Sequence, residues 1–280
     1  VVMIALIAAT LTGFSDIFQN RQISEVSYYM VYVLLLTILM KAFGTASGLV
    51  EQMLARVLGF MKVLMPSFVL ALGLSGGTVT GAVFLEWVLL LISVVEAVME
   101  KLLLPTVHLY VLLMLVNQMT KEDILSKMAG LFRQGTEMAL KGMTAAVLGF
   151  NLVQGLIAPA VDGFKKDVVT KTAGMLPGVG QGFDSVSDLV LGAGVLIRNS
   201  IGAAGLVFLA VLCLIPLAKV ALFAVSYQLA AAVVQPVSDS RIVACISSVG
   251  DGMVLLMKVM FTATLLFWLT LAVVCVAMRA

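Results

Sequence analysis

Residues 200–234 read SIGAAGLVFLAVLCLIPLAKVALFAVSYQLAAAVV, an apolar run whose only charge is Lys219. A bilayer crossing takes about 20 mainly apolar residues, so the run is long enough to span and too long for one simple crossing. Pro216 stands near its middle, so the run is either one long kinked helix or two segments meeting at the proline. The rest of the chain has the same character: 62% of 280 residues are hydrophobic and 11% charged, where a soluble domain carries about 25% charged residues. The mean hydropathy is +1.15. These features predict an all-α fold, a polytopic transmembrane helix bundle solvated largely by lipid.

Further candidate spans lie at 1–14, 27–43, 58–75, 82–100, 102–119, 142–160 and 253–278. With 200–234 counted as one or two, the sequence allows seven to nine. The chain opens VVMIALIAAT, without Met or a charged leader, and reads as a piece of a longer protein with any targeting segment upstream.

Seventeen basic and fifteen acidic residues leave a net charge of +2, too balanced for nucleic-acid binding. Cys213, Cys245 and Cys275 have no short metal-ligand spacing. Cys213 and Cys275, within apolar runs, read as small apolar residues, and no disulfide is expected. His108 is the single histidine, so zinc is excluded unless carboxylates dominate the site. No G-x-S-x-G frames a nucleophile. No enzyme, catalytic residue, metal or cofactor is expected.

The chain repeats part of itself. KGMTAAVLGFNL from Lys141 and KVMFTATLLFWL from Lys258 share Lys141/Lys258, Met143/Met260, Ala146/Ala263 and Phe150/Phe267. LLPTVH (103–108) likewise aligns with LIPLAK (214–219), placing Pro105 with Pro216 and His108 with Lys219; Asn117 and Gln228 follow. Many transporters are built from such halves. The expected organisation is N-terminal transmembrane helices over 1–81, a first helical repeat over 82–160, a glycine-rich linker and the start of a small-residue helix over 161–195, and a second repeat over 196–280. Between the spans, 120–141 predicts a helix capped by Thr120, with Glu122 and Asp123 in its first turn. Ile124, Met128, Leu131 and Met138 stand opposite Lys127 and Arg133, the pattern of a helix lying in the membrane interface or packing on the protein.

Two glycine-rich stretches break the spans. MLPGVGQGFDSVSD (175–188) carries Gly178, Gly180 and Gly182, but no strand precedes it and no lysine follows. Asp184 and Asp188 would repel a phosphate, so nucleotide binding is not expected. The stretch reads instead as a joint, with Asp184 or Ser185 capping a new helix rich in small residues. LSGGTVTGAVF (74–84), with Gly76 and Gly77, holds no charge. It is either a re-entrant turn lining a pore or a short turn outside the membrane.

An ionisable group at bilayer depth costs at least about 2.5–3.5 kcal/mol, so each is a functional candidate. Lys219 leads, with a structural ion pair or an interfacial position as its alternative. His108 is a candidate for proton handling or a hydrogen-bonded packing residue. Glu86 and Glu96 share a helix face; Glu100 and Lys101 suit an interface. Asn151 and Gln154 can bond across helices. Candidate pathway and hinge residues are thus Lys219, His108, Pro105, Pro216, Gly76, Gly77, Gly178, Gly180, Asp184 and Asp188. Basic clusters flank 142–160 on both sides, so charge bias does not choose an orientation.

LALGLSGGTVTGAVF, LPGVGQGFDSVSDLVLGAGVLIRNSIGAAGL, LIPLAKVALFAVSYQLAAAV and AAAVVQPVSDSRIV resemble the stage III sporulation protein AE family of endospore-forming bacteria, as does the order of segments. The resemblance implies a multi-pass protein of the mother-cell membrane around the forespore. Its implied place is a channel complex with the other stage III A-operon proteins and, through the complex, the forespore stage II sporulation protein Q. It brings no catalytic residues. Two roles follow: a platform or export gate within that complex, with membrane lipid around it and a homo-oligomer open to it, or a self-sufficient permease with a midplane site near Lys219 and His108.

Overall fold

The computed structural model describes the backbone of residues 21–74, 79–119, 123–173 and 180–277, and the side chains of 29–67, 86–119, 123–149 and 200–272. The order is α1 (Arg21–Leu74), α2 (Val79–Val98), a π-helical turn (Met99–Leu103), α3 (Leu104–Asn117), α4 (Ser126–Ala173), α5 (Gly180–Val234) and α6 (Ser240–Ala277). No strand occurs among the described residues. The fold is all-α, and three helices among the described residues are long and apolar enough to cross a membrane: Tyr29–Ser67, Ser200–Val234 and Ser240–Ala272.

The helices are longer than apolarity alone predicts. Expected spans 27–43 and 58–75 lie on one helix, α1, of 54 residues, about 81 Å at 1.5 Å per residue. The intervening GTASGLVEQMLARV contains glycine and charge, which read as a break. Yet Ala46, Val50, Met53, Leu54 and Val57 in it are buried, at the i, i+3/i+4, i+7 spacing of one helix face. The segment is helical because it packs. The expected helix 120–141 and span 142–160 likewise join in α4, and α5 runs unbroken through Pro216. Expected spans 82–100 and 102–119 run together through the π turn, where the Leu104 N–H reaches Met99 O. Pro105 lies at the start of α3, and its lack of an N–H removes an α-helical bond at that place.

Hydroxyl groups on these helices are satisfied locally. Thr37 donates to Val33 O at 2.8 Å, Ser93 to Leu89 O at 2.9 Å and Thr270 to Leu266 O at 2.8 Å. Each bond leaves no unmet hydroxyl donor in an apolar setting. At the start of α6 the Asp239 carboxylate accepts the Arg241 N–H at 2.9 Å, the expected chemistry of an N-cap.

Several expectations meet the structure differently. Gly180 is the first residue of α5, so Asp184 and Ser185 lie inside the helix rather than capping it. Gly76, Gly77, Gly178, Thr120 and Glu122 lie outside the described residues. The prolines aligned by the internal repeat are housed unlike one another: Pro105 follows a π turn, Pro216 sits within an uninterrupted helix.

The molecule divides into two compact units. One takes its described residues from Val1–Met53, Val98–Leu140 and Leu214–Phe261, the other from Leu54–Ala97, Lys141–Cys213 and Thr262–Ala280. In the first, Leu35, Leu39 and Phe43 of α1, Val107 and Val111 of α3, and Ile246, Val249, Met253 and Leu256 of α6 are buried. Lipid is as apolar as leucine, so such helices associate by close packing rather than by leaving water. Gly252 shows how close: a Cβ there would lie 2.2 Å from Val111 Cγ2 and 3.1 Å from Phe43 Cε2. The Tyr32 hydroxyl and Cys245 Sγ add a contact of 2.9 Å between α1 and α6. In the second unit the Phe60 and Phe208 rings lie 4.9 Å apart, and a Cβ on Gly205 would meet Leu64 Cδ2 at 3.1 Å.

Gly252→Ala should therefore cost about 1–3 kcal/mol by overpacking. Gly142→Ala, where nothing lies within 4 Å, should gain about 0.5–1 kcal/mol in helix propensity. Thermal unfolding of the two variants in detergent reads the contrast; equal midpoints would contradict it.

Candidate functional site

The densest polar feature of the first unit lies where α4 meets α6. On α6, Gly250 and Gly252 flank Asp251, and Lys258 stands seven residues further on, two turns along the same face. Gly250 lies close to α5: a Cβ there would sit 3.3 Å from Gln228 Cγ. On α4, Arg133 and Glu137 are four apart. The Lys258 ammonium donates to Glu137 Oε1 at 2.6 Å, Arg133 Nη1 lies 3.5 Å from Asp251 Oδ2, and Arg133 Nε lies 3.9 Å from Glu137 Oε1. Tyr110 of α3, 3% exposed, hydrogen-bonds the Arg133 side chain beside Asp251.

Two cations and two carboxylates alternate, and the network sums to zero. Such a group can sit in a low-dielectric setting at far lower cost than a lone ion. Its members are between a third and a half exposed, so each pair contributes modestly. The arrangement clamps α4 to α6. It contains no paired nucleophile and base, and no metal-binding group of three His, Cys, Asp or Glu occurs among the described residues.

α4 is turned opposite to a helix of a soluble protein. Arg133 and Glu137 reach α6, while Met128, Leu131 and Met138 are exposed. This suits an apolar surrounding on that face.

A second polar feature starts α4. Asn117, 6% exposed at the end of α3, donates from Nδ2 to Asp123 Oδ1 at 2.7 Å and accepts the Leu125 N–H at 2.8 Å. Asp123, expected in the helix's first turn, lies just before α4, which begins at Ser126. Hydrogen bonds from the Ser126 hydroxyl, from Asn117 and from the Ser126 N–H hold its carboxyl below its usual range.

The residues singled out from sequence are dispersed. His108 is half-buried; its Nδ1 donates to Leu104 O at 2.9 Å, and its ring meets Phe43 edge-on at 5.1 Å. It packs. Lys219 is exposed on α5 and joins no ion pair among the described residues. Pro105 is exposed at the start of α3, and Pro216 is half-buried within α5. Gly180, Asp184 and Asp188 occupy the first turns of α5. Sequence reasoning passed over Glu137 and Asp251 altogether. The signal was present: opposite charges at i, i+4 on α4 and i, i+7 on α6, each within a mainly apolar helix.

The profile described as Stage III sporulation protein AE matches residues 1–278. The chain belongs to the stage III sporulation protein AE family. It is similar to the curated Stage III sporulation protein AE of Bacillus subtilis (strain 168), with 26% identity over 277 residues, 99% of this chain and 69% of that protein. No solved structure matches. Membership supports a role in sporulation, and the apolar helices fit a membrane protein.

Two outcomes test this geometry. In a double-mutant cycle, Glu137→Ala and Lys258→Ala should show a coupling on the order of 1 kcal/mol, read by thermal unfolding in detergent; strict additivity would mean the pair does not form. The depressed Asp123 carboxyl stabilises the start of α4 above the unfolded-state value near pH 3.9, and this is lost as pH falls through the lower folded value. Amide exchange at 125–129 should therefore accelerate on acidification, and Asp123→Asn should flatten that pH dependence.

Proposed function

We propose that this chain is the membrane-embedded platform or export gate of the channel complex that joins mother cell and forespore during endospore development. It resides in the mother-cell membrane around the forespore. Its partners are the other stage III A-operon proteins and, through the complex, stage II sporulation protein Q. Membership of the stage III sporulation protein AE family across residues 1–278 carries the reading. The charge network favours platform over permease: its four ions neutralise one another across a helix contact, leaving no lone charge there to couple to a substrate. The permease alternative rests on His108 and Lys219. His108 is engaged by Leu104 and Phe43, and Lys219 is exposed among large apolar side chains.

A cysteine-accessibility scan of the intact complex tests this. Single cysteines across 74–84 and 210–228, probed with a membrane-impermeant thiol reagent, should be protected in protein that still supports sporulation. Labelling along both stretches would demonstrate an aqueous path through this subunit, exclude a purely structural platform and leave the export gate or the permease.

A further inference from the structure

Lys219 poses a problem that no described residue of the chain solves. A span takes about 20 residues, and no window of that length can be drawn within 200–234 without including position 219. For a crossing drawn within 200–234, the lysine therefore lies within the hydrocarbon or at its edge. It is exposed on α5, and the face around it is large and apolar: Leu214, Ile215, Leu222 and Val225 are each more than half exposed, Leu222 at 72%. Lipid can cover the aliphatic side chains, but a lone ammonium there costs at least about 2.5–3.5 kcal/mol. A carboxylate at matching depth removes that cost.

The chain carries the complementary surface. The only charges of α2 are Glu86 and Glu96, and it has no cation. Glu86 is exposed beside Trp87, Leu90 and Val94, which are 55%, 54% and 51% exposed. Like Lys219, Glu86 joins no ion pair among the described residues. Two apolar helix faces, each broken by one exposed charge of opposite sign, have reciprocal needs.

We infer that two copies of this chain associate in the membrane by packing the Lys219 face of α5 in one copy against the Glu86 face of α2 in the other, with the two side chains paired. The inference depends on the membrane location and not on the channel role. One copy thereby supplies the counter-ion that the other requires, so the pair sets both depth and partner.

The test uses the intact protein in the membranes of a non-sporulating host, co-expressed with two different tags. A photo-crosslinking amino acid at Leu222 should yield an adduct between the two tagged copies that maps by mass spectrometry to residues 86–97. Lys219→Glu or Glu86→Lys should each reduce that adduct about tenfold, and the double reversal should restore it. An adduct to lipid alone would mean a monomer with a lipid-facing lysine. Adducts to a different protein, or to another part of the second copy, would mean another occupant. Each overturns the inference, as does an adduct unmoved by either single reversal. Should the reversed proteins be lost from the membrane, the map obtained with the natural charges decides alone. Because no sporulation complex is present in that host, failure here leaves the channel reading untouched, and failure of the accessibility scan leaves this one untouched.

Discussion

In hydrocarbon, a polar group that finds no partner within protein has none. The rest of this structure follows from that condition. Backbone groups are consumed in long helices, threonine and serine hydroxyls fold back onto carbonyls four residues earlier, and the charges between α4 and α6 come as opposed pairs. With no water to expel, the helices are held by fit. Gly252, against Val111 and Phe43, and Gly205, against Leu64, mark where backbone and side chain approach most closely.

Much of this architecture was legible because apolarity is a local property. The run at 200–234 declared itself a membrane helix, and the helix passes through Pro216 unbroken. Where polarity is local but its cause is distant, the reading fails. The segment at 44–57 looked like a connection because of Gly44, Ser47, Glu51 and Arg56. Its helicity depends on Ala46, Val50, Met53 and Val57 being buried. The clamp was hidden for the same reason, since Lys258 and Glu137 are 121 positions apart and meet only after folding. His108 was conspicuous as the single histidine, but rarity in composition says nothing of engagement, and Leu104 and Phe43 occupy it.

The family gives a biological setting, sporulation. The geometry adds a physical character, in which neutral ionic clamps and tight glycine contacts join the helices and apolar surfaces turn outward. A component built this way suits holding a shape within a larger assembly. Lys219 and Glu86, each exposed on an apolar helix face and in no ion pair among the described residues, are two places where such a surface carries a charge without a counter-ion.

The π turn at Met99–Leu103 has a geometric consequence. The chain passes from one compact unit to the other at Val98, one residue before the turn begins. A π turn adds one residue to an α-helical repeat, and one residue amounts to about 100° of azimuth. The stripe that α2 presents is therefore out of phase with the stripe that α3 presents, although helical backbone runs on through the turn. The extra residue is thus taken up inside the helix, with no loop to hold it. Deleting one residue in 99–103 would remove that offset and return the stretch to a plain α-helical register, without altering a single apolar residue outside the turn.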